Sequence, residues 1–206
     1  MSATTATSMI LDAALAYHDR GCWVTVCCDP THEPGKCIVP RKYPCTSPGK
    51  APINSGWQSK RLTANQIREL FTKHAGANVG IKWGAESGLI DVEADTPEAE
   101  RVLQELLDES QFPELVLIPT YTSRRGYHRL FRWCEVLPKA VVKLFDIEFR
   151  CGGDGKGAQS VVPPSRHVSG QQYQWQEFLS LDDVDPPELP PYIVRLLRLN
   201  EGIEDE

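Results

Sequence analysis

No apolar run in the sequence approaches the ~18 residues that a membrane-spanning helix needs, so no membrane partner is expected. The opening segment "MSATTATSMI" lacks a basic start followed by a long apolar stretch and does not read as a secretory signal. A cytoplasmic protein is the expectation. An excess of positive charge is also missing. The net charge of −6 argues against a generic tight binder of nucleic acid. There is no Cys-x-x-Cys pair, so the seven cysteines do not form the strongest zinc motif. In a cytoplasmic setting they are expected as thiols or metal ligands rather than disulfides. Solenoid-type repeats are absent, and strands and helices mix without a regular βαβ rhythm, which favours an α+β fold over a doubly wound sheet.

What is present suffices for one large or two small globular domains: 206 residues, 41% of them hydrophobic. The charge is unevenly spread. From Glu177 onward there are nine acids and two bases, whereas residues 1–176 carry 20 bases and 19 acids. The bases cluster at Arg41 and Lys42, Lys60 and Arg61, Arg124 and Arg125, and Arg129 and Arg132.

Helices are expected after Ser8 in "MILDAALAYHDRG", after Thr63 in "TANQIRELFTKH", from Thr96 and Pro97 in "TPEAERVLQELLDE", and at the end in "PPELPPYIVRLLRLN". Strands are expected in "CWVTVC", "ANVGIKWG", "GLIDVEAD", "LFDIEFR", "SVVPPS" and "YQWQ", with a hairpin formed by "ELVLIPTYTS" and "YHRLFRW" around "RRG". A long loop rich in Pro, Gly and Cys separates the first strand from the second helix.

The strand "GLIDVEAD" carries the first chemical signal. Residues i and i+2 of a strand share a face, so Asp91 and Glu93 project together. Two carboxylates that close repel unless a proton or cation lies between them, and Mg²⁺ is held by one or two carboxylates plus phosphates and water. Asp95 is expected to leave the strand and serve the start of the next helix. In "FDIEFR", Asp146 and Glu148 share another face, and a neighbouring strand would bring a third acid to the pair. Three such carboxylates suit two metal ions in a phosphoryl transfer. Between the acidic strands lies "TSRRGYHRLFR", where His128 sits among Arg124, Arg125 and Arg129. Cations nearby lower a histidine's pKa unless an anion arrives, and a triphosphate is such an anion.

Cys28, His32, Cys37 and Cys45 fall within one loop, with Cys27 adjacent to the first. Thiolate and imidazole ligands of this kind suit tetrahedral zinc, which would staple a loop too polar to fold alone. Spacing does not distinguish Cys27 from Cys28. The alternative is a set of reduced thiols; Cys22, Cys134 and Cys151 are expected to be structural.

In order, the segments "AALAYHDRGCWV", "SPGKAPINSGW", "ANVGIKWG", "SGLIDVEAD", "TSRRGYHRLFR" and "IEFRCGGDGKGAQSVVPPSRHVSGQQYQW" resemble the bifunctional primase–polymerase (Prim-Pol) domain of the archaeo-eukaryotic primase superfamily. The resemblance covers roughly residues 10–176, taken as the catalytic domain; residues 177–206 are expected as an acidic segment with a short helix, a linker to a further domain. It implies an RRM-like catalytic sheet with a smaller α/β module, the active site in the cleft between them. It also implies template-directed synthesis of DNA or RNA from nucleoside triphosphates on a single-stranded template and primer. By position it implies Asp91, Glu93 and Glu148 as ligands of two Mg²⁺ or Mn²⁺ ions and His128 as a contact to the triphosphate, with Asp146 a rival to Glu148. Arg124, Ser123, Arg150, Lys156, Arg166, Lys50 and Asn78 follow as nucleotide-binding candidates. The family's second motif is often Ser-x-His; here it is Gly126-Tyr127-His128, with Ser123 a substitute nearby. Cys-rich inserts before the "GK-P" segment in some relatives favour zinc. A core of near-neutral charge predicts weak, salt-sensitive template binding and a need for a helicase or a helical accessory domain. Two other readings stay open: a two-metal nuclease, and a nucleic-acid-binding module of a replication protein.

Overall fold

The computed structural model describes residues 3–33, 36–37, 45–111, 116–138, 141–152 and 157–203. Among them are four helices: α1 (Ala3–Asp19), α2 (Ala64–Lys73), α3 (Pro97–Glu109) and α4 (Pro191–Asn200). The strands are β1 (Trp23–Cys27), β2 (Asn78–Trp83), β3 (Leu89–Ala94), β4 (Thr120–Thr122), β5 (Tyr127–Arg132), β6 (Val141–Leu144), β7 (Ile147–Arg150), β8 (Ala158–Val161) and β9 (Gln174–Trp175). The protein is thus a mixed α and β fold with separate helices and antiparallel strand pairs, as its patterning predicts.

Local chemistry sets most of the element ends. Thr63 caps α2 in a capping box, accepting from the Gln66 N–H while Gln66 Oε1 accepts from the Thr63 N–H at 2.9 Å. Thr96 caps α3 by accepting from the Ala99 N–H at 3.1 Å, and Pro97 fills the first turn, where its missing N–H costs nothing. Two expectations need correction. Ser8 does not cap α1; it lies inside the helix and its hydroxyl donates to Asp12 Oδ2 at 3.4 Å. "LFDIEFR" is not one strand but the tip of a hairpin. Phe145 (φ +52°) and Asp146 (φ +61°) form a two-residue turn between β6 and β7, the paired positive φ values that strand twist favours in tight hairpins.

The chain folds into two compact units: Met1–Lys82 with Gln159–Gln174, and Trp83–Ala158 with Trp175–Glu206. The first is built on the sheet β1-β2-β8, with Val24, Val26, Val79 and Ile81 buried alongside Ile67 and Phe71 of α2. The second is built on the six-stranded sheet β6-β7-β3-β5-β4-β9. Alternation gives this sheet an apolar face: Ile90, Val92, Ala94, Phe131, Val142, Ile147 and Phe149. Leu103, Leu106 and Leu107 of α3 and Ile193, Val194 and Leu197 of α4 complete that core, so the C-terminal helix is packed into the second unit. The other face of the sheet carries the acids.

Candidate active site

Register explains the site. On β3, Glu93 lies opposite His128 of β5 on one side and opposite Glu148 of β7 on the other. The same cross-strand row continues to Lys143 on β6 and Tyr121 on β4. One pleat along, Asp91 faces Arg150 of β7. Neighbouring strands lie about 4.8 Å apart, so side chains in these rows must meet. Asp146 is in the hairpin turn, outside the row.

The groups form one network. His128 Nδ1 lies 2.9 Å from Asp91 Oδ1 and 3.0 Å from Oδ2, and its Nε2 lies 3.3 Å from Glu93 Oε1. The Arg150 guanidinium is inserted among all three acids. Its Nη1 donates to Asp91 Oδ2 at 2.9 Å, and its Nη2 bonds Glu93 Oε2 and, at 2.8 Å, Glu148 Oε1. Lys143 Nζ approaches the other Glu148 oxygen at 3.5 Å. Asp91 is fully buried, and Glu93 and His128 are nearly so. Tyr121 stacks flat on the imidazole, with ring centroids 4.4 Å apart and planes 6° apart, and Trp175 meets Tyr121 edge-on.

Burial alone would push His128 toward the neutral form. The charge and hydrogen bond of Asp91, and those of Glu93, outweigh it and lift the pKa to about 9, so the ring is an imidazolium at neutral pH. Burial would likewise raise Glu93, but His128 and Arg150 hold its carboxyl far below the usual range. This overturns the expectation of a histidine surrounded by cations. Arg125 pairs with Asp95, and Arg129 pairs with Glu100 of α3 on the opposite face of the sheet. Arg124 is exposed at the hairpin tip and, among the described residues, has no ion-pair partner. Asp95 does leave the strand as expected, but burial first, and then Glu93 beside it, raise its pKa. One of its oxygens is buried without a hydrogen bond.

The Gly-Tyr-His departure has a steric cause. A Cβ added at Gly126 would lie 1.9 Å from the Ala94 carbonyl oxygen, so serine does not fit there. Ser123 Oγ is turned into the hairpin instead, accepting from the N–H groups of Arg125 and Gly126, each at 3.3 Å. The remaining nucleotide-binding candidates divide. Lys50, Asn78 and Arg166 belong to the first unit, Arg150 to the second, and Lys156 lies outside the described residues. Arg150, expected at a phosphate, is first of all the carboxylates' partner. Tyr121 was not anticipated, because nothing in "TYTS" announces a ring stacked on His128; Arg150's position is a consequence of the β3–β7 register.

The donor set suits a hard divalent cation. Three oxygen-bearing side chains converge on a single cationic group, and Mg²⁺ and Mn²⁺ prefer such ligands. An ion bound there would compete with the guanidinium for the same oxygens.

A second cluster stands in the first unit. One ligand atom each from Cys28, His32, Cys37 and Cys45 lies within 4.8 Å of every other. Cys28 Sγ is 3.7 Å from Cys45 Sγ, and His32 Nε2 is 3.4 Å from Cys28 Sγ. Tetrahedral zinc with ordinary bond lengths needs about 3.8 Å and about 3.6 Å for these edges. His32 Nδ1 lies 2.8 Å from the Glu33 carbonyl, which only accepts, so Nδ1 carries the proton and Nε2 presents its lone pair to the cluster. Burial, together with the Cys45 thiol, raises Cys28 to about 11 in the absence of metal. Cys27 is turned away, toward Thr25 and Gln159, which makes Cys28 the member of the cluster.

The family model for the Prim-Pol domain, described as bifunctional DNA primase/polymerase, N-terminal, matches residues 14–192. The chain belongs to this family of DNA primase/polymerase enzymes. No curated protein matches the chain.

Proposed function

We propose that the protein is a template-directed nucleotidyltransferase, a DNA primase and DNA polymerase that joins nucleoside triphosphates on a single-stranded template. The observation that carries this reading is the convergence of Asp91, Glu93, Glu148 and His128 on one face of adjacent strands in a chain of the Prim-Pol family. On this reading the six-stranded sheet is the RRM-like catalytic sheet. The catalytic elements lie within residues 1–176.

Asp91, Glu93 and Glu148 would hold two Mg²⁺ or Mn²⁺ ions. Bound there, the ions supply Lewis-acid activation of a primer hydroxyl and neutralise charge on the triphosphate and leaving pyrophosphate. The chain's own groups do the rest. His128, held charged by the acids, would place a fixed positive charge beside the phosphate oxygens. Tyr121 keeps the ring plane from rotating. Arg150 bridges the three carboxylates, offsets part of their charge, and is itself a cation at hand for the triphosphate. Arg124 adds an exposed positive charge at the hairpin tip. Preorganised charge of this kind is the main resource of phosphoryl transfer, where there is little covalent work for the protein.

The Cys28–His32–Cys37–Cys45 cluster would hold a structural Zn²⁺, since four protein ligands leave no open position for chemistry. The expected setting is cytoplasmic, with a helicase or helical accessory domain supplying template affinity.

The test is nucleotide incorporation into a primed, labelled single-stranded template, run beside degradation of the same DNA. Incorporation lost in Asp91→Ala and Glu93→Ala supports the reading. Degradation without incorporation identifies a nuclease; DNA binding with neither activity identifies a binding module.

A further inference from the structure

The β6–β7 turn carries a side chain that suits neither its backbone nor its surroundings. A two-residue hairpin turn asks both residues for positive φ, and glycine or asparagine normally supplies it. Here the first is Phe145, at φ +52°, a conformation that a bulky side chain adopts only at a cost. Burial offsets little of that cost. Phe145 is 59% exposed, and among the described residues its ring meets no other ring and no cation. Asp146 beside it, at φ +61°, is exposed as well. An outlier of this kind, kept where packing does not need it, points to a role outside the fold.

Register fixes where the ring stands. Ala94 of β3 lies opposite Ile147 of β7 on one side and opposite Tyr127 of β5 on the other. Both hairpin turns, Phe145-Asp146 and residues 123–126, therefore lie at the same end of the six-stranded sheet, one on each side of the chain leaving β3 at Asp95. The row of Lys143, Glu148, Glu93 and His128 crosses the sheet two residues back from Phe145, about 7 Å at the rise of a strand. The turns belong to β7 and β5, which are two strand spacings or about 10 Å apart. The second turn carries Arg124, exposed and without an ion-pair partner among the described residues.

This end of the sheet thus offers an exposed ring and an exposed cation next to a site suited to phosphoryl transfer. Single-stranded nucleic acid matches that pair, since aromatic side chains stack on its bases and basic ones track its backbone. Asp146 repels phosphate, so the β6–β7 turn has only the ring to offer. Stacking accepts any base, as an enzyme that copies varied templates requires.

We infer that Phe145 is a base-stacking contact for the single-stranded nucleic acid on which the active site acts. The inference rests on the nucleotidyltransferase reading for its ligand.

The variants are Phe145→Asn, which suits the turn, Phe145→Leu, which keeps an apolar side chain without the ring, and Phe145→Trp, which keeps a ring. The readouts are Tm, anisotropy of labelled oligothymidylate, binding of a fluorescent deoxynucleoside triphosphate, and steady-state primer extension. Phe145→Asn is expected to raise Tm and yet to weaken oligothymidylate binding roughly tenfold, with KM for the primed template rising in step. Phe145→Leu is expected to lose as much affinity, and Phe145→Trp to keep it within about twofold. In all three, nucleotide Kd and kcat are expected within about twofold of wild type. Unchanged oligothymidylate affinity in Phe145→Asn and Phe145→Leu overturns the inference. An equal loss in Phe145→Trp also overturns it, by tracing the effect to the turn and not the ring. So does a fall in the Tm of Phe145→Asn, which would give the ring to the fold. Loss of self-association with DNA affinity intact, seen by light scattering, makes the turn a protein contact and likewise overturns it. A wild-type protein that binds oligothymidylate through Phe145 but incorporates no nucleotide overturns the functional reading and leaves the contact standing. Equal primer extension by wild type and Phe145→Leu at every template concentration overturns the contact and leaves the functional reading standing.

Discussion

Titrating His128 in metal-free buffer tests the electrostatic core of the site. Its pKa is lifted from an ordinary 6.5 to about 9 by Asp91 and Glu93 against the opposing effect of burial. A group whose folded pKa exceeds its unfolded one binds more protons in the native state. Its contribution is complete below about pH 6.5 and is lost as pH rises through about 9. The gap is worth ~3 kcal/mol at about 1.4 kcal/mol per pH unit. Denaturant unfolding of wild type and His128→Gln at pH 6 and pH 10, with a divalent chelator present, gives this quantity as a difference of differences. Wild type is expected to lose ~3 kcal/mol more than the variant. Ring ¹³C shifts should place the wild-type midpoint near 9, and Asp91→Asn should bring it down. A wild-type midpoint at or below 6.5 would refute the reasoning, because it would mean that the carboxylates do not hold the imidazolium.

Removing the guanidinium should expose what it neutralises: Arg150→Met is expected to cost about 3 kcal/mol of metal-free stability. Millimolar Mn²⁺ should raise its Tm more than that of wild type; equal Mn²⁺ responses would contradict a shared set of oxygens. Because the register sets Glu148, not Asp146, beside Glu93, Glu148→Gln should lower primer extension by roughly a hundredfold, with Asp146→Asn within about twofold. The reverse order would reject that assignment. Protein purified without chelators should contain about one equivalent of zinc, lost in Cys45→Ser together with a fall in Tm; below roughly a tenth of an equivalent in wild type, the cluster is not a zinc site.

The residues that were readable in advance share a local cause. Asp91 and Glu93 lie two apart in an otherwise apolar strand, and that alone puts them on one face. Thr63 and Thr96 announce their helices by side chains that reach only three residues ahead. What escaped depended on distant pairing. The partners of Arg125, Arg129 and Arg150 are Asp95, Glu100 and the three acids, and no spacing rule links those positions. Nor does spacing announce the direct contacts of Asp91 and Glu93 with His128 that reverse its expected pKa. The β6–β7 turn was missed because Phe145-Asp146 lacks glycine and asparagine, the usual bearers of positive φ. Cys27 and Cys28 differ only in which way each points from the end of a strand.

The most direct measurement of the central claim is nucleotide incorporation on single-stranded DNA, primed and unprimed, with each nucleotide type and with Mg²⁺ or Mn²⁺, by wild type and Asp91→Ala. Metal-dependent synthesis is expected of wild type and none of a folded Asp91→Ala protein. Equal synthesis by both proteins, or none by wild type under any of these conditions, would contradict it.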